Sequence, residues 1–167
     1  MTRALLAAIV LLALPATALA DARFERASGA GKQSVPPGTE GFFLTQIAFS
    51  ARNDPFAKEA GGYFVGRGSL AGMPFAQQGR VTCLHVEGNQ ASIRYRFDRA
   101  SGGTAAFEGG GIQIFVQDNE VRPDASSFDP PESRAVFDAR AKTCDDPRLR
   151  TYDPIDSGNF VVRDASP

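Results

Sequence analysis

The sequence predicts an all-β fold: one antiparallel β-barrel or β-sandwich of about seven or eight strands, behind a cleaved signal peptide. Two observations carry the fold class. Ala91, Ile93, Tyr95 and Phe97 alternate with Ser92, Arg94, Arg96 and Asp98, a period of two that an amphipathic helix does not give. Elsewhere, short apolar runs are separated by loops rich in Gly, Pro, Asn and Asp, and no segment sustains a 3.6-residue pattern, which is the signature of a barrel or sandwich. A third observation, the composition of the first 20 residues, predicts export.

Residues 1–20 read MTRALLAAIVLLALPATALA. Arg3 gives a positive start, Ala4 to Leu14 an apolar stretch, Pro15 a break, and Ala18-Leu19-Ala20 a small-x-small cleavage sequence. The apolar stretch is shorter than the ~20 residues a membrane span needs, so no span is expected after cleavage. Asp21 rather than Cys follows the cut, which excludes a lipid-anchor signal. Arg outnumbers Lys 15 to 3, and Ala and Gly are abundant, as in a high-GC bacterial chain. The expected location is therefore periplasmic or secreted. Cleavage leaves 147 of the 167 residues, enough for one domain with a core.

Residues 21–41, rich in Gly, Ala, Ser and Pro, read as an N-terminal extension, and residues 42–167 as the β-domain. Phe42 to Ala51 is the first strand, closed by Arg52-Asn53-Asp54-Pro55. Ala57 to Gly61 has room for one helical turn. Tyr63 to Arg67 and Met73 to Gln78 are the next strand candidates. Val81 to Glu87 and Gln90 to Asp98 flank Gly88-Asn89, a two-residue hairpin signal. That turn pairs residues whose numbers sum to 177: Val86 with Ala91, Leu84 with Ile93, Thr82 with Tyr95 and Arg80 with Phe97. It leaves Cys83, His85, Ser92, Arg94 and Arg96 on the opposite face, where the two arginines read as solvated and Ser92 as tolerant of change. Ile112 to Asp118 continues the pattern. Pro123 to Pro131 reads as a loop, Arg134 to Arg140 as a weaker strand, the stretch from Cys144 as irregular, and Asn159 to Arg163 as the closing strand.

Composition excludes several functions. The chain carries 18 basic and 19 acidic side chains with no basic block, which argues against nucleic acid as the main partner. One His and two Cys cannot supply a four-ligand Cys/His zinc site, and no metal site or cofactor is expected. Cys83 and Cys144 have each other as partners in an oxidising compartment, so a disulfide is expected. The competing reading makes Cys83 a nucleophile with His85 as base, but same-face neighbours on a strand lie ~6.5 Å apart, too far for that hydrogen bond. His85 is the only imidazole, so a Ser-His-Asp triad would have to use it; a mid-strand position fits a structural role better. Asp118, Asn119, Glu120, Asp124 and Asp129 cluster within a dozen residues. Calcium favours such oxygen-rich loops, but the spacing matches no EF-hand, and Asp and Asn are also common turn formers. Gly109-Gly110-Gly111 lacks the Lys-Ser/Thr of a phosphate loop and reads as a turn. No catalytic residue is assigned.

Five stretches, FLTQIAFSA (43–51), GGYFVGRG (61–68), VTCLHVEGNQASI (81–93), IFVQDNEVRP (114–123) and NFVV (159–162), with the late Cys144, resemble a loose group of small exported bacterial β-proteins of unassigned activity. The resemblance implies an all-β fold and no catalytic residues. Asn119-Glu120 departs from the Asn-Gly frequent in that group.

The expected function is that of an exported, non-catalytic binding or interaction module of the bacterial envelope, its partner an unknown protein or small-molecule ligand. One alternative is a small-molecule carrier, since an eight-stranded barrel can hold one ligand and the 13 Phe would line it. The other is a hydrolase using His85 or an acidic pair. A hollow interior would favour the carrier; a filled interior with an exposed patch would favour the contact module.

Overall fold

The structure, a computed structural model, describes residues 24–35, 40–54 and 59–165. The expected signal peptide, part of the expected N-terminal extension and the start of the expected helical turn at Ala57 lie outside them. Among the described residues nine strands form one antiparallel sheet: β1 (Arg26–Lys32), β2 (Phe42–Asp54), β3 (Glu59–Leu70), β4 (Met73–Glu87), β5 (Gln90–Gly102), β6 (Gly111–Gln117), β7 (Ala125–Phe128), β8 (Asp153–Pro154) and β9 (Ser157–Arg163). Their order is β8-β7-β6-β5-β4-β3-β2-β1-β9. The sheet curls into a half-barrel, with nine strands rather than seven or eight.

Four expectations need correction. The sheet begins at Arg26, inside the stretch read as an extension, because β1 pairs with β2 on one side and β9 on the other. Residues 59–61 extend β3 rather than a helical turn. The Pro123–Pro131 loop contains β7. Residues 134–140 form a helix, α1, not a strand. Seven residues are too few to display a 3.6 period, and Arg-Ala-Val-Phe mimics alternation. Ala and Arg are good helix formers, Ser133 holds the N-cap position, Arg140 lies in the last turn, and only Phe137 is buried.

The β4–β5 hairpin turns at Gly88 (φ +60°) with Asn89 outside the left-handed region, the type II′ pattern. From Glu87/Gln90 to Cys83/Arg94 the paired numbers sum to 177, and Leu84 faces Ile93. Thr82 then bulges, so Val81, not Thr82, meets Tyr95, and Arg80 meets Arg96 rather than Phe97. A second irregularity at Asp98 restores 177 at Gln78/Arg99. The reason is visible in the core. An unbroken register would aim Arg80 at the face that holds Phe97. The bulge instead turns Val81 and Gly79 inward and lets exposed Arg80 reach Asp98 at 3.0 Å.

The inside of the curl is filled by Leu44, Ile47, Phe49, Phe64, Phe75, Ile93, Tyr95, Phe97, Ile112, Ile114 and Phe160, among others. Phe64 stacks on Tyr95 with centroids 3.7 Å apart, and Phe42 on Phe75 at 5.1 Å. The gap among Gly31, Leu44, Ser126 and Ile155 is too tight for water. One polar pair is buried here. Gln77 Nε2 donates to the Tyr95 hydroxyl at 3.0 Å, while Gln77 Oε1 has no hydrogen-bond partner among the described residues. Burial pushes the Tyr95 phenol well above its ordinary 10.

The acidic loop closes the seam of the curl. The free edge of β9 donates Phe160 N to Asp124 Oδ2 and Val162 N to Asp118 Oδ2. Asp124 also accepts from Asn119 N at 2.8 Å, and its carbonyl takes Ile155 N at 2.9 Å. Two carboxylates thus satisfy donors that an exposed strand edge would leave open.

Candidate functional site

Both outer flanks of the curl carry arginines on neighbouring strands, in opposite settings. Over β4, β5 and β6 the flank is covered by residues 129–150. Phe137, fully buried, sits on Gly111, where a Cβ would lie 2.2 Å from its ring. Arg94 and Arg96 lie 5.5 and 5.0 Å from that ring. The expectation that these arginines form a solvated face is overturned. Arg94 is 0% exposed, pairs with Glu132 at 2.8 Å and donates to Gln113 Oε1 at 2.6 Å. Glu132 also holds Arg140, and Asp138 holds Arg96. Arg150 lies over Phe115 at 4.1 Å and pairs with Asp129 at 2.9 Å. Ser92 is buried and its hydroxyl accepts from Gln113 Nε2, so it is a poor candidate for a tolerant position.

The expected disulfide is present: Cys83 and Cys144 are bonded, with Cα atoms 5.8 Å apart. It ties the covering segment to β4 and leaves no thiol at Cys83 for nucleophilic work. His85 is half-exposed and lies 3.3 Å from Glu87 Oε1. Asp118 and Asp124 cap β9 and Asp129 holds Arg150. Among the described residues no group of three or more His, Cys, Asp or Glu is arranged to hold a metal ion. These residues are therefore not brought together into one site.

The other flank lies over β9, β1, β2 and β3, and among the described residues its outward positions are exposed or half-buried. From Arg52 to Gln46 the register places its outward side chains in four rows across the strands: Arg163, Arg26, Arg52 and Gly61; Val161, Ser28, Ser50 and Tyr63; Asn159, Ala30, Ala48 and Val65; Ser157, Lys32, Gln46 and Arg67. The next register pair of that parity, beyond Arg52 and Gly61, is Asp54 and Glu59, and Glu59 pairs with Lys142 at 2.9 Å. Within the four rows five residues are cations, all exposed, and none is a carboxylate. None of the five makes an ion pair with a described residue. Arg26 lies directly opposite both Arg52 and Arg163, an arrangement that costs stability between like charges. The two charged rows are six residues apart along the strands, ~20 Å at 3.3 Å per residue. Tyr63 and Val65 stay 43% and 38% exposed.

A groove of about 500 Å³ opens on this flank. The small side chains of Ala30 and Ala48 leave the space, and Lys32, Gln46, Val65, Arg67 and Ser157 border it. A second cavity of about 390 Å³ lies beside the seam, between Val35, Phe43, Phe128 and Pro154. Reading the sequence singled out none of Arg26, Lys32, Arg52, Arg67 or Arg163. They are scattered over 138 residues of chain and become one patch only through strand pairing. No known protein family, curated protein or solved structure matches the chain.

Proposed function

We propose that this protein is a non-catalytic binding module whose contact surface is the outer flank of β9, β1, β2 and β3 and whose partner is anionic. The observation that carries this reading is the pair of charged rows: five exposed cations in two rows that hold no carboxylate, with Asp54 and Glu59 the one acidic register pair beyond them, on a chain of net charge −1. Arg is suited to this work because its planar fork matches carboxylate, sulfate and phosphate groups in a bidentate manner. The filled interior supports a contact surface over a carrier's cavity. The consumed thiol at Cys83 supports binding over nucleophilic chemistry at that residue. Export to the envelope belongs to the same proposal. A disulfide fits an oxidising compartment, and among the described residues no helix is long and apolar enough to cross a membrane.

Chromatography on immobilised sulfate groups at neutral pH and low salt tests the reading. The protein is expected to be retained despite its net negative charge. The triple variant Arg26→Glu, Arg52→Glu, Arg163→Glu is expected to elute in the void. Arg122→Glu, an exposed loop control, is expected to behave as the parent apart from a small shift. Passage of the parent without retention, or equal loss in the loop control, overturns the assignment.

A further inference from the structure

Resting on that reading, we propose that the partner is an extended anionic polysaccharide, lying in a trough that runs along β1 and β2 from the arginine row to Lys32 and Arg67. In the two rows between the charged ones, the outward residues of β1 and β2 are the smallest: Ser28, Ala30, Ser50 and Ala48. The bordering strands carry larger ones, Val161 and Asn159 on β9, Tyr63 and Val65 on β3. The result is a floor two strands wide, ~10 Å at 4.8 Å per strand, with walls on both sides. Arg26, Arg52 and Arg163 stand at one end, and Lys32 and Arg67 at the other.

This shape and chemistry separate the anionic partners from one another. A bilayer presents a plane of headgroups, which meets the walls and not the floor. A peptide bound to the face of a sheet leaves its own N–H and C=O groups without ladder partners, since β1 and β2 are already paired on both sides; peptides add to sheet edges for that reason. Single-stranded nucleic acid needs aromatic platforms for successive bases, and Tyr63 is the only aromatic among the outward positions of the flank. A glycan chain has no obligatory backbone pairing. Its ring faces lie on Ala30, Ala48, Val65 and the exposed Tyr63 ring, its hydroxyls reach Ser28, Ser50, Gln46 and Asn159, and its acidic substituents meet the cations at both ends.

The test uses the whole mature chain against five probes in titration calorimetry: polygalacturonate, dextran sulfate, neutral dextran, polyglutamate and phosphatidylglycerol–phosphatidylcholine vesicles. Binding to either acidic polysaccharide and not to neutral dextran, weakened steeply by salt, is expected. The triple arginine reversal is expected to lower that affinity by at least about tenfold. Ala48→Tyr, which raises the trough floor at an exposed strand position without changing charge, is expected to do the same, with thermal unfolding confirming that both variants are folded. Ala30→Tyr provides a second block of the floor. Polysaccharide binding that survives both floor variants overturns the trough. Binding to vesicles or polyglutamate but not to the acidic polysaccharides, still sensitive to the arginine reversal, overturns the polysaccharide assignment while leaving the anionic contact surface standing. Failure of every probe overturns both.

Discussion

The two outer flanks of one curled sheet place cross-strand arginines in opposite circumstances. On the β4–β6 side, Arg94 and Arg96 are matched by Glu132 and Asp138, supported by Phe137 and roofed by a segment bonded through Cys83–Cys144. On the β9–β3 side, Arg26, Arg52 and Arg163 face each other with no carboxylate in their row. The difference separates two uses of the same residue. The covered arginines are part of the fold, because a buried guanidinium must be paired and hydrogen-bonded to be tolerated. The exposed ones contribute nothing to the fold that a Thr or Gln would not, and by mutual repulsion they oppose it. A side chain that folding does not require is explained by something outside the chain.

The sharpest way to break this contrast is to unpair the covered side. Glu132→Ala removes the carboxylate shared by Arg94 and Arg140 and leaves a fully buried guanidinium without its counter-charge. Losing one partner of a buried pair costs about 3–5 kcal/mol, and urea unfolding is expected to show a loss of that size. A loss under about 1 kcal/mol would place Arg94 among the solvated arginines after all.

Next in size is the staple. The bond between Cys83 and Cys144 closes a loop with sequence separation 61, for which its loss as the double Cys→Ser variant is expected to cost about 2–4 kcal/mol. The same variant is expected to leave retention on immobilised sulfate unchanged, because the bond anchors the covered flank only. Loss of retention in a folded double variant would mean that the two flanks are coupled.

The third prediction concerns the interior beneath both flanks. The Tyr95 phenol titrates well above 10 in the folded chain, driven by burial and opposed by the hydrogen bond from Gln77. In the unfolded chain it titrates near 10. The unfolded state therefore loses this proton first. Stability from Tyr95 is fully present below pH ~10 and falls as the pH rises from there toward the folded value. Tyr95→Phe is expected to cost about 1–3 kcal/mol at pH 7 by leaving Gln77 with neither polar atom paired. It is also expected to flatten the alkaline limb of the stability curve. A parent and variant with identical slopes above pH 10 would remove Tyr95 from the alkaline transition.

What the sequence made legible follows from this geometry. Local patterns spoke clearly. Alternation from Ala91 to Phe97 and the Gly88-Asn89 pair marked a two-residue turn and the register near it, and Leu84 opposite Ile93 followed. The bulge at Thr82 was hidden because its cause, keeping Arg80 away from the core, appears only when the strand is extended past the turn. Arg94 was misread because alternation marks one face as apolar but does not say what covers the other. Its cover comes from residues 129–150, whose seven-residue helix is too short to declare itself. The candidate site was illegible for a related reason. Arg26, Arg52 and Arg163 are isolated charges along the chain, and total charge counts arginines without placing them. Their adjacency exists only in the pairing of β1 with β2 and β9.

The smallest expected effect addresses the exposed flank directly. If Arg26, Arg52 and Arg163 are held together against their repulsion for the sake of a partner, relieving that repulsion improves the fold. Arg26 is the middle member of the row and opposes both others, so it is the position to change. Arg26→Thr replaces it with a residue of good strand propensity. Like charges directly opposite each other on neighbouring strands cost a few tenths of a kcal/mol up to about 1, and exposed charges are screened within ~10 Å at 0.1 M salt. Arg26→Thr is therefore expected to raise stability by a few tenths of a kcal/mol at low ionic strength, with the gain shrinking as salt is added. The same change is expected to weaken retention on immobilised sulfate. Stability and binding then move in opposite directions at one residue, which a purely structural arginine cannot produce. Arg96, on the covered flank, is the control: because Asp138 and the Phe137 ring hold it, Arg96→Thr is expected to lower stability at every salt concentration. If Arg26→Thr behaves as Arg96→Thr does, the distinction between the flanks fails, and the row of arginines belongs to the fold.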